Sequence, residues 1–195
     1  MQQQPHNKFI AVLASGAGSN TQKIIDYFKN TAEIKVALIL SNKADAGVIK
    51  IAEKEKVPFL IIEKNKFYLD GYLTEIKHYN IDLIVLAGFL WKIPNVLIQS
   101  YQNKIINIHP ALLPKFGGKN MYGNFVHAAV IKSGEKQSGI TIHFVDEIYD
   151  HGKIIFQKKC EVENHDTVDS LATKIHLLEH EYYPSIIEKI VKENL

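Results

Sequence analysis

The chain has 195 residues, enough for a single domain, read as 1–195, with a sizeable core. Hydrophobic residues make up 46% and charged residues 23%, the balance of an ordinary soluble protein rather than a disordered or membrane chain. A net charge of +2 with scattered lysines offers no nucleic-acid footprint, and one cysteine, Cys160, excludes an internal disulfide.

The opening stretch MQQQPHNK is polar and lacks an apolar signal core, and no apolar run approaches the roughly 18 residues a membrane helix needs. The expectation is therefore an untargeted, cytoplasmic protein without a membrane partner. Residues 8–14 form an apolar run that ends in the loop Ser-Gly-Ala-Gly-Ser-Asn at 15–20. Ile24, Ile25 and Phe28 then follow at helical spacing, which predicts a helix over 20–29. A second strand is expected over 34–40, a helix over 44–56, a third strand over 58–62 and one helix over 67–79. Residues 82–87 (DLIVLA) are continuously apolar, as in a strand covered on both faces. A helix over 94–101 and a fifth strand over 104–108 complete the alternation. Such a pattern predicts an α/β fold with a doubly wound, mostly parallel open sheet, whose ligands bind beyond the carboxyl ends of the strands.

After His109 the pattern changes. Residues 110–122 read as a loop rich in Pro and Gly, too long for a simple connector. A helix is expected over 123–132. The β-rich runs 139–145 and 153–162 read as an antiparallel pair added to the sheet edge. Residues 167–193 read as helix, with a break or kink at Pro184.

Two stretches sit where such a sheet binds ligands. The first is the glycine loop. It lacks the third Gly of a dinucleotide fingerprint, no acidic residue ends the second strand, and no Gly-Lys-Ser/Thr follows, so a nicotinamide or ATP site is not expected. Free backbone N–H groups at a helix N-terminus still invite a phosphate, and Gly16 and Gly18 are expected to let the backbone approach it. The same residues also suit a tight strand-to-helix turn. The second stretch is Ile-Asn-Ile-His-Pro at 106–110. Side chains two apart on a strand share a face, so Asn107 and His109 point into one cleft. The amide offers a donor to a developing oxyanion, and the imidazole a proton donor or acceptor near neutral pH. Asp146, Glu147 and Asp150 are the carboxylates available to orient the ring. The bland alternative is a hydrogen-bonded turn. His143 either faces the same cleft or is a satisfied sheet residue. His127, His176 and His180 fall on expected helices and look ordinary. No metal-ligand spacing appears, so no metal is expected, and Cys160 reads as a packing residue.

Taken together, SGAGSN at 15–20, SNKADA at 41–46, LAGF at 86–89, NIHPALLPKFGG at 107–118, GITIHFVDEIYDHGKIIFQ at 139–157 and EHEYYP at 179–184 resemble the phosphoribosylglycinamide formyltransferase family, in order and over nearly the whole chain. The resemblance implies a formyltransferase-type Rossmann-like fold. It implies transfer of the formyl group of 10-formyltetrahydrofolate, as co-substrate, to the amino group of glycinamide ribonucleotide in purine biosynthesis, with no metal and no nucleic acid as partner. The family's catalytic residues fall on Asn107, His109 and Asp150, and its phosphate loop on Gly18, Ser19 and Asn20. The carboxylate that meets the glycinamide end falls on Glu179. The folate pocket falls on Phe89, Leu90, Trp91, Lys92 and Ile93, with Asn107. Phe144, Val145, Asp146, Glu147 and Asp150 form its other side. Thr141 falls where a small hydroxyl residue supports the catalytic His and Asp, beside His143. Asp150 is expected to hold His109 charged by raising its pKa.

The chain departs from the family pattern in three places. Trp91-Lys92 stands where many members have Arg and an aliphatic residue, His176 where Gln or Lys is common, and KFGGKNMYG where KYPGLHTH is common. Methionyl-tRNA formyltransferase and formyltetrahydrofolate hydrolase share parts of the pattern but carry an extra domain for which this length leaves no room. A non-catalytic nucleotide-binding module is the rival from another class, and the Asn107, His109, Asp150 set argues against it. Monomer and homodimer remain open.

Overall fold

A computed structural model describes residues 7–31 and 33–193; the polar segment 1–6 lies outside the described residues. The elements in chain order are β1 (Lys8–Leu13), α1 (Ser19–Phe28), β2 (Ile34–Ser41), α2 (Gly47–Glu55), β3 (Phe59–Ile61), α3 (Lys64–Asp70), α4 (Leu73–His78), β4 (Leu83–Leu86), α5 (Asn95–Ser100), β5 (Ile105–His109), α6 (Asn124–Ser133), β6 (Gln137–Phe144), β7 (Ile154–Glu161) and α7 (Val168–Lys192).

The strands form a seven-stranded sheet in the order β3-β2-β1-β4-β5-β6-β7. The pairs from β3 to β5 are parallel, and β5–β6 and β6–β7 are antiparallel. This is the doubly wound, mostly parallel sheet with an antiparallel edge that the alternation predicts. Successive side chains on a strand point to opposite faces, so β1 sends Ile10 and Val12 to one core and Ala11 and Leu13 to the other. The first core is closed by apolar stripes of α1, α2, α6 and α7, including Ile24, Val48, Val130 and Ile187. The second is closed by Phe67 of α3, Ile76 of α4 and Leu97 of α5. Covered on both faces, β4 is buried at all four positions, which is why its sequence does not alternate.

Two helix expectations are corrected. The helix expected over 67–79 is two helices, α3 and α4. Gly71 (φ 65°) closes α3 by donating its N–H to the Phe67 carbonyl, and Tyr72 follows at φ 55°. The Tyr72 hydroxyl, accepting from the Glu63 N–H at 2.9 Å, holds the corner. Phe67, Tyr72 and Ile76 all join one core, so apolar spacing alone cannot reveal the break. Conversely, α7 continues through Pro184 without interruption. Tyr183, Pro184 and Ile187 are buried there, and tertiary packing outweighs the missing N–H. The helix starts with a capping box between Thr167 and Ser170.

The β1 to β4 neighbourhood is where the strand order reverses, and a crevice opens there beyond the strand ends. Tyr183 braces it: its ring is fully buried and its hydroxyl donates to the Leu86 carbonyl at the end of β4, at 2.9 Å. Tyr183→Phe strands that carbonyl, at a cost of about 1–3 kcal/mol. For a chain of this size Tm should fall by roughly 2–4 °C per kcal/mol in a thermal melt. An unchanged Tm would show that water replaces the lost donor.

Candidate active site

A cavity of about 570 Å³ fills the crevice. Its walls are the loop after β1, the segment after β4, the end of β5, the loop 110–123, the β6–β7 connection and the cavity-facing side of α7. The Ser15 N–H donates to the Gly88 carbonyl and its Oγ accepts from the Leu90 N–H, tying the first two walls together.

At the centre β5 pairs with β6, with Asn107 opposite His143 and His109 opposite Thr141. Asn107, His109 and His143 face the cavity, and the β6–β7 connection returns Asp150 to the same place. Asp150 Oδ2 accepts from the Gly118 N–H at 2.9 Å and lies 3.5 Å from His109 Nδ1. Its Oδ1 lies 3.5 Å from Asn107 Nδ2 and 3.7 Å from His143 Nε2. Of the three carboxylates on this connection, Asp150 is therefore the one beside the ring. Asp146 turns instead to His151 and the Ile148 N–H, both at 2.8 Å.

The tautomers follow from the partners. His143 Nδ1–H donates to the Phe144 carbonyl at 2.8 Å, so its Nε2 accepts from Asn107 Nδ2 at 3.1 Å. One Asn107 amide proton is thereby fixed, and the second lies on the longer contact to Asp150. His109 Nε2–H donates to the Phe116 carbonyl at 2.8 Å, so both ring nitrogens face acceptors, which the imidazolium satisfies.

Burial nevertheless dominates, and the His109 pKa lies below its ordinary value, with the negative charge of Asp150 opposing that shift. The expected upward push of Asp150 is present, joined by the Phe116 carbonyl and Glu179, but burial outweighs all three, so the net shift is downward. For Asp150, burial raises the carboxyl, but the imidazoles of His143 and His109 and the Gly118 N–H together hold it below the ordinary range.

Gly18, Ser19 and Asn20, the residues expected to meet a phosphate, lie across the cavity. Helix α1 begins at Ser19 after Gly18, with no side-chain cap, and its first N–H groups are open to the crevice. The Asn20 side chain is engaged elsewhere, donating to Glu179 Oε2 at 2.9 Å, where His176 Nδ1–H also donates at 3.0 Å. The hydrogen bond it gives to Glu179 raises the His176 pKa. Asn20 therefore offers an anion its backbone N–H rather than its amide. Gly18 lines the cavity as well. Its φ is +82°, and an added Cβ would meet Ile51 at 2.8 Å and Val48 at 2.9 Å in α2, so packing against α2 also requires a glycine there, whereas a Cβ at Gly16 meets nothing within 4 Å.

The residues expected on the folate side divide. Phe89, Leu90, Trp91, Lys92, Ile93, Val145 and Asp146 line the cavity, and Trp91 stacks on Tyr68 with ring centroids 6.3 Å apart. Phe144 packs into the core and Glu147 is exposed, and neither lines the cavity. Thr141 pairs directly with His109 across β5 and β6, and its hydroxyl makes no hydrogen bond to His109 or Asp150 among the described residues. Its hydroxyl donates to the Ala111 carbonyl (2.6 Å) and accepts from the Leu113 N–H (3.0 Å) and from Gln157 (2.9 Å), so it pins the loop that leaves His109.

Sequence reading missed Lys43 and His127, which both line the cavity. Lys43 lies in the SNKADA motif, where only the fold shows that the second strand end faces the first. His127 sits between the buried Val126 and Val130 on α6, a core position for which a polar ring is an odd choice. No group of three or more His, Cys, Asp or Glu side chains suited to a metal ion occurs among the described residues. Cys160 is half-buried on β7, and burial pushes its thiol pKa up.

The chain matches the formyl transferase family model over residues 8–187. The chloroplastic phosphoribosylglycinamide formyltransferase of Arabidopsis thaliana is 39% identical over 199 residues, with 98% of this chain and 68% of that protein covered. The phosphoribosylglycinamide formyltransferase of Bacillus subtilis is 37% identical, covering 96% of each. The crystal structure of phosphoribosylglycinamide formyltransferase from Anaplasma phagocytophilum superposes with a TM-score of 0.87 at 32% identity, over 95% of this chain and 87% of that one. The chain belongs to the formyl transferase family.

Two outcomes follow from the geometry. NMR titration should place the His109 midpoint below about 6.5, the ordinary histidine value, and Asp150→Asn should lower it further by removing the charge that opposes burial. An unmoved midpoint would show that the two groups do not interact. Gly18→Val should lower thermal stability and weaken every ligand alike, because the new side chain strikes α2. Selective loss of one ligand would show that the change acts on the loop itself rather than through the packing against α2.

Proposed function

We propose that the chain transfers the formyl group of 10-formyltetrahydrofolate to the amino group of glycinamide ribonucleotide, as a single domain over 1–195 working in the cytoplasm. The observation that carries this reading is one cavity with two chemically distinct ends. The uncapped N-terminus of α1 suits a phosphate, and Asn107, His109 and Asp150 form a polar reaction centre across from it. The aromatic wall of Phe89 and Trp91 suits a flat heterocycle with an attached ring. Full-length likeness to phosphoribosylglycinamide formyltransferases supports the choice of substrates.

In this reading the ribonucleotide's phosphate rests on the backbone N–H groups near Gly18, Ser19 and Asn20, Glu179 lies beside that end, bonded to Asn20, and the glycinamide amine reaches across to the reaction centre. The amine attacks the formyl carbon and an oxyanion forms. Asn107 Nδ2 and the charged form of His109 stabilise it. Asp150 takes the proton that the new C–N bond releases, and the folate N10 receives one as its bond to the formyl carbon breaks. Positioning and oxyanion stabilisation supply most of the acceleration.

The direct test follows loss of the formyl group from 10-formyltetrahydrofolate by absorbance, with and without glycinamide ribonucleotide. Formyl transfer only when both are present is expected, and its absence overturns the reading. His109→Ala and Asp150→Asn should each lower turnover by about 10²–10⁴, as for acid–base groups. Asn107→Ala should raise the barrier by about 3 kcal/mol, as for a lost oxyanion donor. Near wild-type turnover in His109→Ala would sink the proposed mechanism.

A further inference from the structure

His127 is 1% exposed, and its Nδ1 is sealed from solvent without a hydrogen-bond partner among the described residues. Phe or Leu would fill the space between Val126 and Val130 without stranding a polar atom. The ring nonetheless lines the ligand cavity, and Nε2 is the polar atom left to face it. The charged and titratable groups around it are His176 and Glu179, beside the α1 N-terminus, and His109 in the reaction centre. His127 thus stands between the two ends of the cavity.

We propose that His127 is a substrate-contacting residue that binds the ribose of the ribonucleotide, its Nε2 meeting a ring hydroxyl. The inference rests on the function proposed above. A ligand with a phosphate at one end and a reacting amine at the other puts its sugar in the middle, where His127 lies. A hydroxyl both donates and accepts, so a neutral imidazole suits it in either tautomer. Burial, helped by His176, lowers the His127 pKa and keeps the ring neutral. A neutral ring is a poor phosphate ligand, and α1 with the more basic His176 already serves that end. The cavity contact also gives a physical reason for an imidazole at a core position.

Steady-state kinetics on His127→Phe, His127→Gln and His127→Asn would test this, with glycinamide ribonucleotide and with analogues lacking either ribose hydroxyl. In His127→Phe, KM for the ribonucleotide should rise about tenfold, the scale of one neutral hydrogen bond. KM for the formyl folate should stay put. His127→Gln, whose amide nitrogen reaches the place of Nε2, should recover most of the loss, and the shorter Asn should not. Wild type should disfavour one hydroxyl-deficient analogue, and His127→Phe should not discriminate. An unchanged ribonucleotide KM, equal losses for both substrates, or undiminished discrimination in the variants would overturn the proposal. If His127→Phe fails to fold, the Gln and Asn pair decides by the same criteria. Should wild type itself transfer no formyl group to the ribonucleotide, the functional reading fails, an outcome distinct from a silent His127.

Discussion

The site depends on one change of direction in the sheet. From β3 to β5 the strands run parallel, and β6 then pairs with β5 in the opposite sense. Directly paired residues of two strands share a face and stand close together. That places His143 against Asn107 and Thr141 against His109, joining two polar pairs far apart in sequence. The antiparallel turn between β6 and β7 then returns Asp150 to the carboxyl end of β5, in contact range of Asn107, His109 and His143.

The electrostatics follow from that placement. Each group is buried enough for its charged form to be disfavoured, and each is given a partner that counters the penalty. Burial lowers His109 while Asp150 opposes, and burial raises Asp150 while two imidazoles and a backbone N–H overrule it. In its neutral form the His143 ring meets Asn107 as an acceptor, which fixes one amide proton, and the second lies on the longer contact to Asp150. The ring orientation of His109 is set by the Phe116 carbonyl in the loop 110–122, and Thr141 pins the same loop at Ala111 and Leu113. The loop is thus part of the polar framework as well as a wall of the cavity.

Helix α7 links the core to the site. Its apolar stripe closes one face of the sheet, while Glu179 reaches the α1 N-terminus and Tyr183 braces the end of β4. The packing of these side chains explains why the helix passes through Pro184 unbroken. A local rule about proline describes an isolated helix, and here burial of Tyr183 and Ile187 outweighs it.

The sequence by itself determined the alternation of strands and helices, the apolar character of β4, the loop positions at the strand ends, and the pairing of Asn107 with His109 on one strand face. These depend on local periodicity and on side-chain alternation, which are properties of neighbours in the chain. Tertiary structure alone decided which of Asp146, Glu147 and Asp150 reaches the ring, because the connection must fold before its carboxylates have directions. It alone showed that a side chain at Gly18 would strike α2, that the Asn20 amide is held by Glu179, and that the Thr141 hydroxyl pins the loop at Ala111 and Leu113. It alone brought Lys43 and His127 into the cavity, and it reversed the net shift of the His109 pKa. Burial is a property of the whole packed molecule, and no run of neighbouring residues encodes how much water a side chain loses.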